Sequence, residues 1–129
     1  MGPVPAALLM SVAFGVLHAW NPHADWLSTV NIGLAGFQLA VAFFSAGGMA
    51  LAWGVHFGWN AGLALLFDAP VSGQAFDVPV LEYTPGRHAW LDGGAFGPEG
   101  GIVATVALLV GTAVILGPRW RRPSAWLAT

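Results

Sequence analysis

His56 and Asn60 stand four residues apart in the middle of an uncharged apolar run that reads GMALAWGVHFGWNAGLALLF from Gly48. On a helix this spacing puts them one turn apart on one face. A second histidine, His18, follows Phe14 by the same interval in an earlier uncharged run. Polar groups at the depth of a bilayer are costly unless they meet partners, so such residues mark a functional site by default. The plain alternative is that they hydrogen-bond between helices as packing glue. Chemically, two imidazoles and a carboxamide supply hydrogen-bond donors, or orient a water molecule, more readily than they supply a strong base. A zinc centre would need three protein ligands and an open position. His18 and His56 fall one short, and no H-E-x-x-H completes the set. Ser11, Ser28, Ser45 and Ser72 lack a G-x-S-x-G setting, and the absence of cysteine removes thiol nucleophiles, thiolate metal sites and disulfides.

The elements that must position these residues follow from where charge is missing. Hydrophobic residues make up 57% of the chain and charged residues 8%, where a soluble domain carries about 25% charge. This is a membrane composition. A formal net charge of −2, with three of the four basic residues near one end, excludes a nucleic-acid partner. No charge occurs before Asp25, between Asp25 and Asp68, or from residue 100 to 118. These blocks predict four spanning or near-spanning helices at about 5–20, 26–44, 49–67 and 102–117 in a single all-α membrane domain, a polytopic helix bundle. Gly33, Gly36 and Ala40 give the second helix a small-residue contact stripe, and Gly54, Gly58 and Gly62 do the same for the third. Asn31 and Gln38 are expected to bond between helices. Residues 68–101, rich in proline, glycine and charge, read as one long extramembrane loop, with Tyr83 and Trp90 at headgroup level. Pro98 and Glu99 fit the first turn of the last helix, which makes Glu99 a helix-start residue. Arg119, Arg121 and Arg122 flank that helix and predict a cytoplasmic C-terminus.

The paired motifs AFGVLHAWNP (13–22) and WGVHFGWNAG (53–62), followed by PVSG (70–73) and GGAFGPEGG (93–101), resemble the CPBP family of intramembrane proteases. That family includes type II CAAX prenyl endopeptidases and bacterial abortive-infection-like proteins. The resemblance implies that His18, His56 and Asn60 converge in a cavity within the membrane, with Phe14 and Trp59 in support, and hydrolyse a peptide bond together with a glutamate. It implies a membrane-associated or prenylated peptide as substrate and a bacterial cell membrane as the setting. Because the family is often labelled metalloprotease, it also admits a divalent metal such as zinc, which would fall on His18 and His56. The family's leading motif is two adjacent glutamates followed after three residues by arginine. It is absent here, and the first acidic residue, Asp25, lies in a turn. The chain is therefore expected to be the C-terminal half of such a protease core, inactive without an N-terminal half as partner. The alternative is a non-catalytic membrane scaffold or binding module: a remnant, an immunity-type protein or a partner protein.

Overall fold

A computed structural model describes residues 2–78 and 81–117, and every regular element in it is helical. Helix α1 is Pro3–His18, α2 is Trp26–Phe44 and α3 is Gly48–Ala61, which continues as a π-helical turn over Gly62–Leu66. A short helix α4, Ala89–Asp92, and two 3₁₀ turns, Gly94–Phe96 and Pro98–Gly100, lead into α5, Ile102–Ile115. Helix α1 begins earlier than the expected residue 5 because Pro3 occupies a first-turn position, where its missing N–H costs nothing. It stops at His18, where the Asn21 amide turns back to the His18 carbonyl at 3.0 Å ahead of Pro22. Helix α2 has the expected bounds, set by a reciprocal cap. The Ser28 amide donates to Asp25 Oδ1 and the Asp25 amide to Ser28 Oγ, both at 2.7 Å.

Helix α2 lies at the centre and packs against α1, α3 and α5. Its contact with α1 uses the expected stripe. A Cβ on Gly15 would lie 3.0 Å from the Thr29 carbonyl oxygen and 3.3 Å from Gly33 Cα, so the two backbones approach as closely as glycine allows. Ser11 Oγ adds a hydrogen bond to the Gly33 carbonyl at 2.7 Å. Against α5 the contact is polar, as expected of Asn31 and Gln38. Fully buried Asn31 donates to the carbonyls of Glu99 (2.8 Å) and Gly101 (2.9 Å) and accepts from Thr105 Oγ1 (2.6 Å), while Gln38 donates to the Leu108 carbonyl at 3.3 Å. The stripe on α3 behaves differently from expectation. Among the described residues nothing lies within 4 Å of where a Cβ would stand on Gly54, Gly58 or Gly62. Helix α3 leans on α2 along a different face, and only 6% of its apolar window is buried, against 44% for α2.

Trp26–Phe44 and Gly48–Leu66, at 19 residues each, are long and apolar enough to cross a membrane. Helices α1 and α5, with 16 and 14 residues, are apolar but shorter. At about 1.5 Å rise per residue they fall below the roughly 30 Å of a hydrocarbon core. Their outer faces present Leu8, Leu9, Val12 and Leu17 on α1 and Val103, Val106, Leu109 and Val110 on α5 to the surroundings. Exposed apolar surface of this extent suits lipid rather than water. Arg119, Arg121 and Arg122, which carry the orientation expectation, lie outside the described residues.

The described residues between α3 and α5 pack as a folded segment. Ala69 and Val71 pack on Leu63 and Ala64, with Tyr83 against them. The Tyr83 hydroxyl donates to the Asp92 carbonyl at 2.9 Å, and its pKa is raised, first by burial and then by the Asp92 carboxylate. Gly97, at φ +94°, lies so close to Pro70 that a Cβ would stand 2.1 Å from its carbonyl oxygen. Only glycine fits there. That approach carries the 98–100 turn onto the 70–73 turn and back to the helices. Glu99 is consequently not the start of α5, which begins at Ile102 behind an extended Gly101.

Candidate active site

Each of the motif histidines is set by its own helix. His18 closes α1, and its Nδ1 lies 2.7 Å from the Phe14 carbonyl oxygen one turn earlier. A carbonyl only accepts, so Nδ1 carries a proton, and in the neutral ring the acceptor lone pair then lies on Nε2. The Phe14 ring packs at 4.6 Å from the His18 ring and meets His56 edge-on at 5.8 Å between centroids. It therefore stands between the two imidazoles as a spacer. Gly36 holds it there, because a Cβ on Gly36 would fall 2.7 Å from Phe14 Cβ.

Helices α1, α2, α3 and α5 enclose a cavity of about 530 Å³, and His18, His56, Asn60 and Trp59 all line it. Asn31 and Gln38 of α2 face it from the other side. His18 and Asn60 are half-buried, and His56 is exposed. All five residues singled out from the motifs, Phe14 included, thus border one space. The open glycine stripe has a reason here, since Gly54 and Gly58 form part of the cavity wall instead of a helix contact.

Sequence reasoning missed two further residues on this wall, Glu99 and Ser72. Glu99 is only 7% exposed. Its Oε1 accepts from Trp59 Nε1 at 2.9 Å, and its Oε2 accepts from the Ser72 amide at 2.6 Å and from Ser72 Oγ at 2.8 Å. The signal was the glycine density of GGAFGPEGG. Pro98 followed by Gly100 and Gly101 makes a poor helix start, and the glycines permit close backbone approaches that fold the turn inward. The donor set does not suit zinc. Among the described residues no three histidine, aspartate or glutamate side chains gather closely enough to hold a metal ion.

Both histidine motifs fall in a stretch that a family model covers. Residues 1–62 match the family of Rce1-like type II CAAX prenyl endopeptidases. The Rce1-like match begins before α1 and runs through α3, so it takes in Phe14, His18, His56, Trp59 and Asn60, and it supports the resemblance read from the motifs. No curated protein and no solved structure matches the chain. The turns carrying Ser72 and Glu99 lie beyond the Rce1-like segment.

Proposed function

We propose that this chain supplies the histidine and asparagine side of an Rce1-like intramembrane endopeptidase, with four helices in the bilayer and the arginines after α5 on the cytoplasmic face of a bacterial membrane. One observation supports the reading: the two family motifs, on different helices, border the same cavity. His18, with its acceptor lone pair on Nε2, accepts a hydrogen from a water molecule and orients it. His56 and Asn60, one turn apart, donate to the carbonyl oxygen of the scissile peptide, where negative charge develops as the water adds. The proton of that water needs a stronger acceptor than a neutral imidazole. Glu99 is poorly placed for that role, because three donors already take up three of the roughly four acceptor sites of its carboxylate. The sequence contains no adjacent glutamates. The acceptor is therefore assigned to a separate segment bearing the family's glutamate pair, and the chain by itself is inactive. A second cavity of about 320 Å³, bordered by Met10, Phe14, Leu39, Phe43 and Phe44, shares Phe14 and Leu39 with the first and offers an apolar wall to a lipid-modified peptide.

The test is reconstitution of the purified chain in liposomes, with and without a separately expressed segment carrying the two glutamates and the arginine. Cleavage of a prenylated peptide is expected only with the segment. Turnover by the chain alone, abolished by His56→Ala, would overturn the assignment of the acceptor. No turnover in either sample would favour the non-catalytic scaffold.

A further inference from the structure

The chain's two cavity walls come from helices that barely touch each other. Helix α1 packs against α2, and α3 packs against another part of α2, with little of α3 buried. Helix α3 packs along one face only, and a roll about its axis would carry His56 and Asn60 away from His18. Below the site the α-helical ladder gives way to a π-helical turn at Gly62, two residues after Asn60. The Phe14 ring spaces the two imidazoles, but a ring contact does not fix the azimuth of α3.

We propose that Glu99 is the positioning residue of the site, and that its carboxylate bridges the two motif helices through Trp59 on one side and Ser72 on the other. On the α3 side, Trp59 Nε1 donates to Glu99 Oε1 at 2.9 Å. Trp59 directly precedes Asn60 and follows His56 by three residues, so fixing its indole fixes the azimuth of both. Among the described residues this is the one side-chain hydrogen bond that joins α3 to another element. On the α1 side, the Ser72 amide and hydroxyl hold Glu99 Oε2, and the Ser72 carbonyl accepts from Asn21 Nδ2 at 2.9 Å. Asn21 stands three residues after His18, in the turn that ends α1. The bridge thus runs from Asn21 through Ser72 and Glu99 to Trp59, from the end of one motif to the middle of the other. The main chain of Glu99 is pinned as well, since its carbonyl accepts from fully buried Asn31 of α2.

The chemistry selects a carboxylate. Three N–H and O–H donors converge on Glu99, and an ionised carboxylate accepts at both oxygens with charge-assisted bonds. A glutamine has one acceptor oxygen, and its NH₂ would face a donor. Glu99→Gln must therefore release either Trp59 or Ser72.

The consequence for catalysis rests on the endopeptidase reading, but the bridge itself is testable without any activity. The spectra of choice are those of the full chain in micelles, with the indole N–H of the 7 tryptophans and the histidine rings isotope-labelled. Trp59→Phe removes only the Oε1 bond and is expected to shift the His56 ring signals while leaving those of His23, outside the bridge, in place. Glu99→Gln is expected to shift the Trp59 indole and the His56 ring together where the amide releases Trp59, and to leave Trp59→Phe as the deciding variant where it releases Ser72. In liposomes with the glutamate-bearing segment, both single variants should lower kcat by about 10- to 100-fold with KM unchanged, since displacements of about 1 Å cost on that order. Unchanged His56 signals in Trp59→Phe overturn the proposal, whether or not Glu99→Gln folds. Absence of cleavage by the wild type in every sample would instead count against the endopeptidase reading and leave the spectroscopic result to decide the bridge.

Discussion

In the proposed endopeptidase, replacing His56 with alanine is expected to lower cleavage in the presence of the proposed glutamate-bearing segment by about 10²- to 10³-fold, the span for a donor to charge that develops in the transition state. Asn60→Ala is expected to cost about 10²- to 10³-fold, as for loss of one donor to a developing oxyanion. The double variant should be little worse than His56→Ala, because residues that act on one transition state are strongly non-additive. Neither change should disturb the bundle, since His56 is exposed to the cavity and Asn60 only half-buried. Cleavage rates measured beside thermal unfolding of the same samples check both halves of this expectation. Activity within about threefold of wild type in His56→Ala, far below the range expected of a donor to the oxyanion, would remove it from the reaction.

The largest effect on stability is expected at Asn31. Its side chain is fully buried and closes three hydrogen bonds at once, to the carbonyls of Glu99 and Gly101 and from the hydroxyl of Thr105. Asn31→Leu keeps the volume but strands the Glu99 carbonyl and the Thr105 hydroxyl, while the Gly101 carbonyl keeps the amides of Ala104 and Thr105. Each unsatisfied buried group costs about 1 to 3 kcal/mol in water-soluble proteins, and interhelical bonds in membranes average nearer about 0.6 kcal/mol. Between these limits a loss of about 2 to 4 kcal/mol is expected. Thr105→Val, which removes one of the three bonds, should cost about a third as much. Equilibrium unfolding in mixed micelles would measure both. The 98–100 turn should also loosen in Asn31→Leu, because the Glu99 carbonyl loses its tie to α2.

Local signals in the sequence predicted the helices well and the site incompletely. Trp26–Phe44 has the expected bounds because the uncharged block after Asp25 marks them, while the Asp25 and Ser28 cap that starts the helix emerged only from the structure. The spacing of Phe14 and His18, and of His56 and Asn60, placed each pair on one helix face, and the Rce1-like match over residues 1–62 covers both. Asn31 and Gln38 were correctly expected to bond across helices, although their partners were not foreseeable. Glu99 and Ser72 escaped notice because their role arises only when the segment between α3 and α5 folds back, 27 residues apart along the chain. No periodic pattern encodes such closure. The glycine stripe on α3 misled for a related reason, as small residues suit an open cavity wall as well as a helix contact, and periodicity alone does not tell the two apart.

The convergence of the two motifs on one cavity is tested most directly by cross-linking in native membranes. The chain contains no cysteine, so engineered pairs report alone. Phe14 and His56 meet with ring centroids 5.8 Å apart, and the pair Phe14→Cys with His56→Cys is expected to be bridged rapidly by a short bifunctional thiol reagent before solubilisation. Val12 and Phe57, on exposed outer faces, form the control pair and should remain unbridged. Bridging of the Val12→Cys and Phe57→Cys pair in preference to the first would contradict the shared cavity and the site built on it.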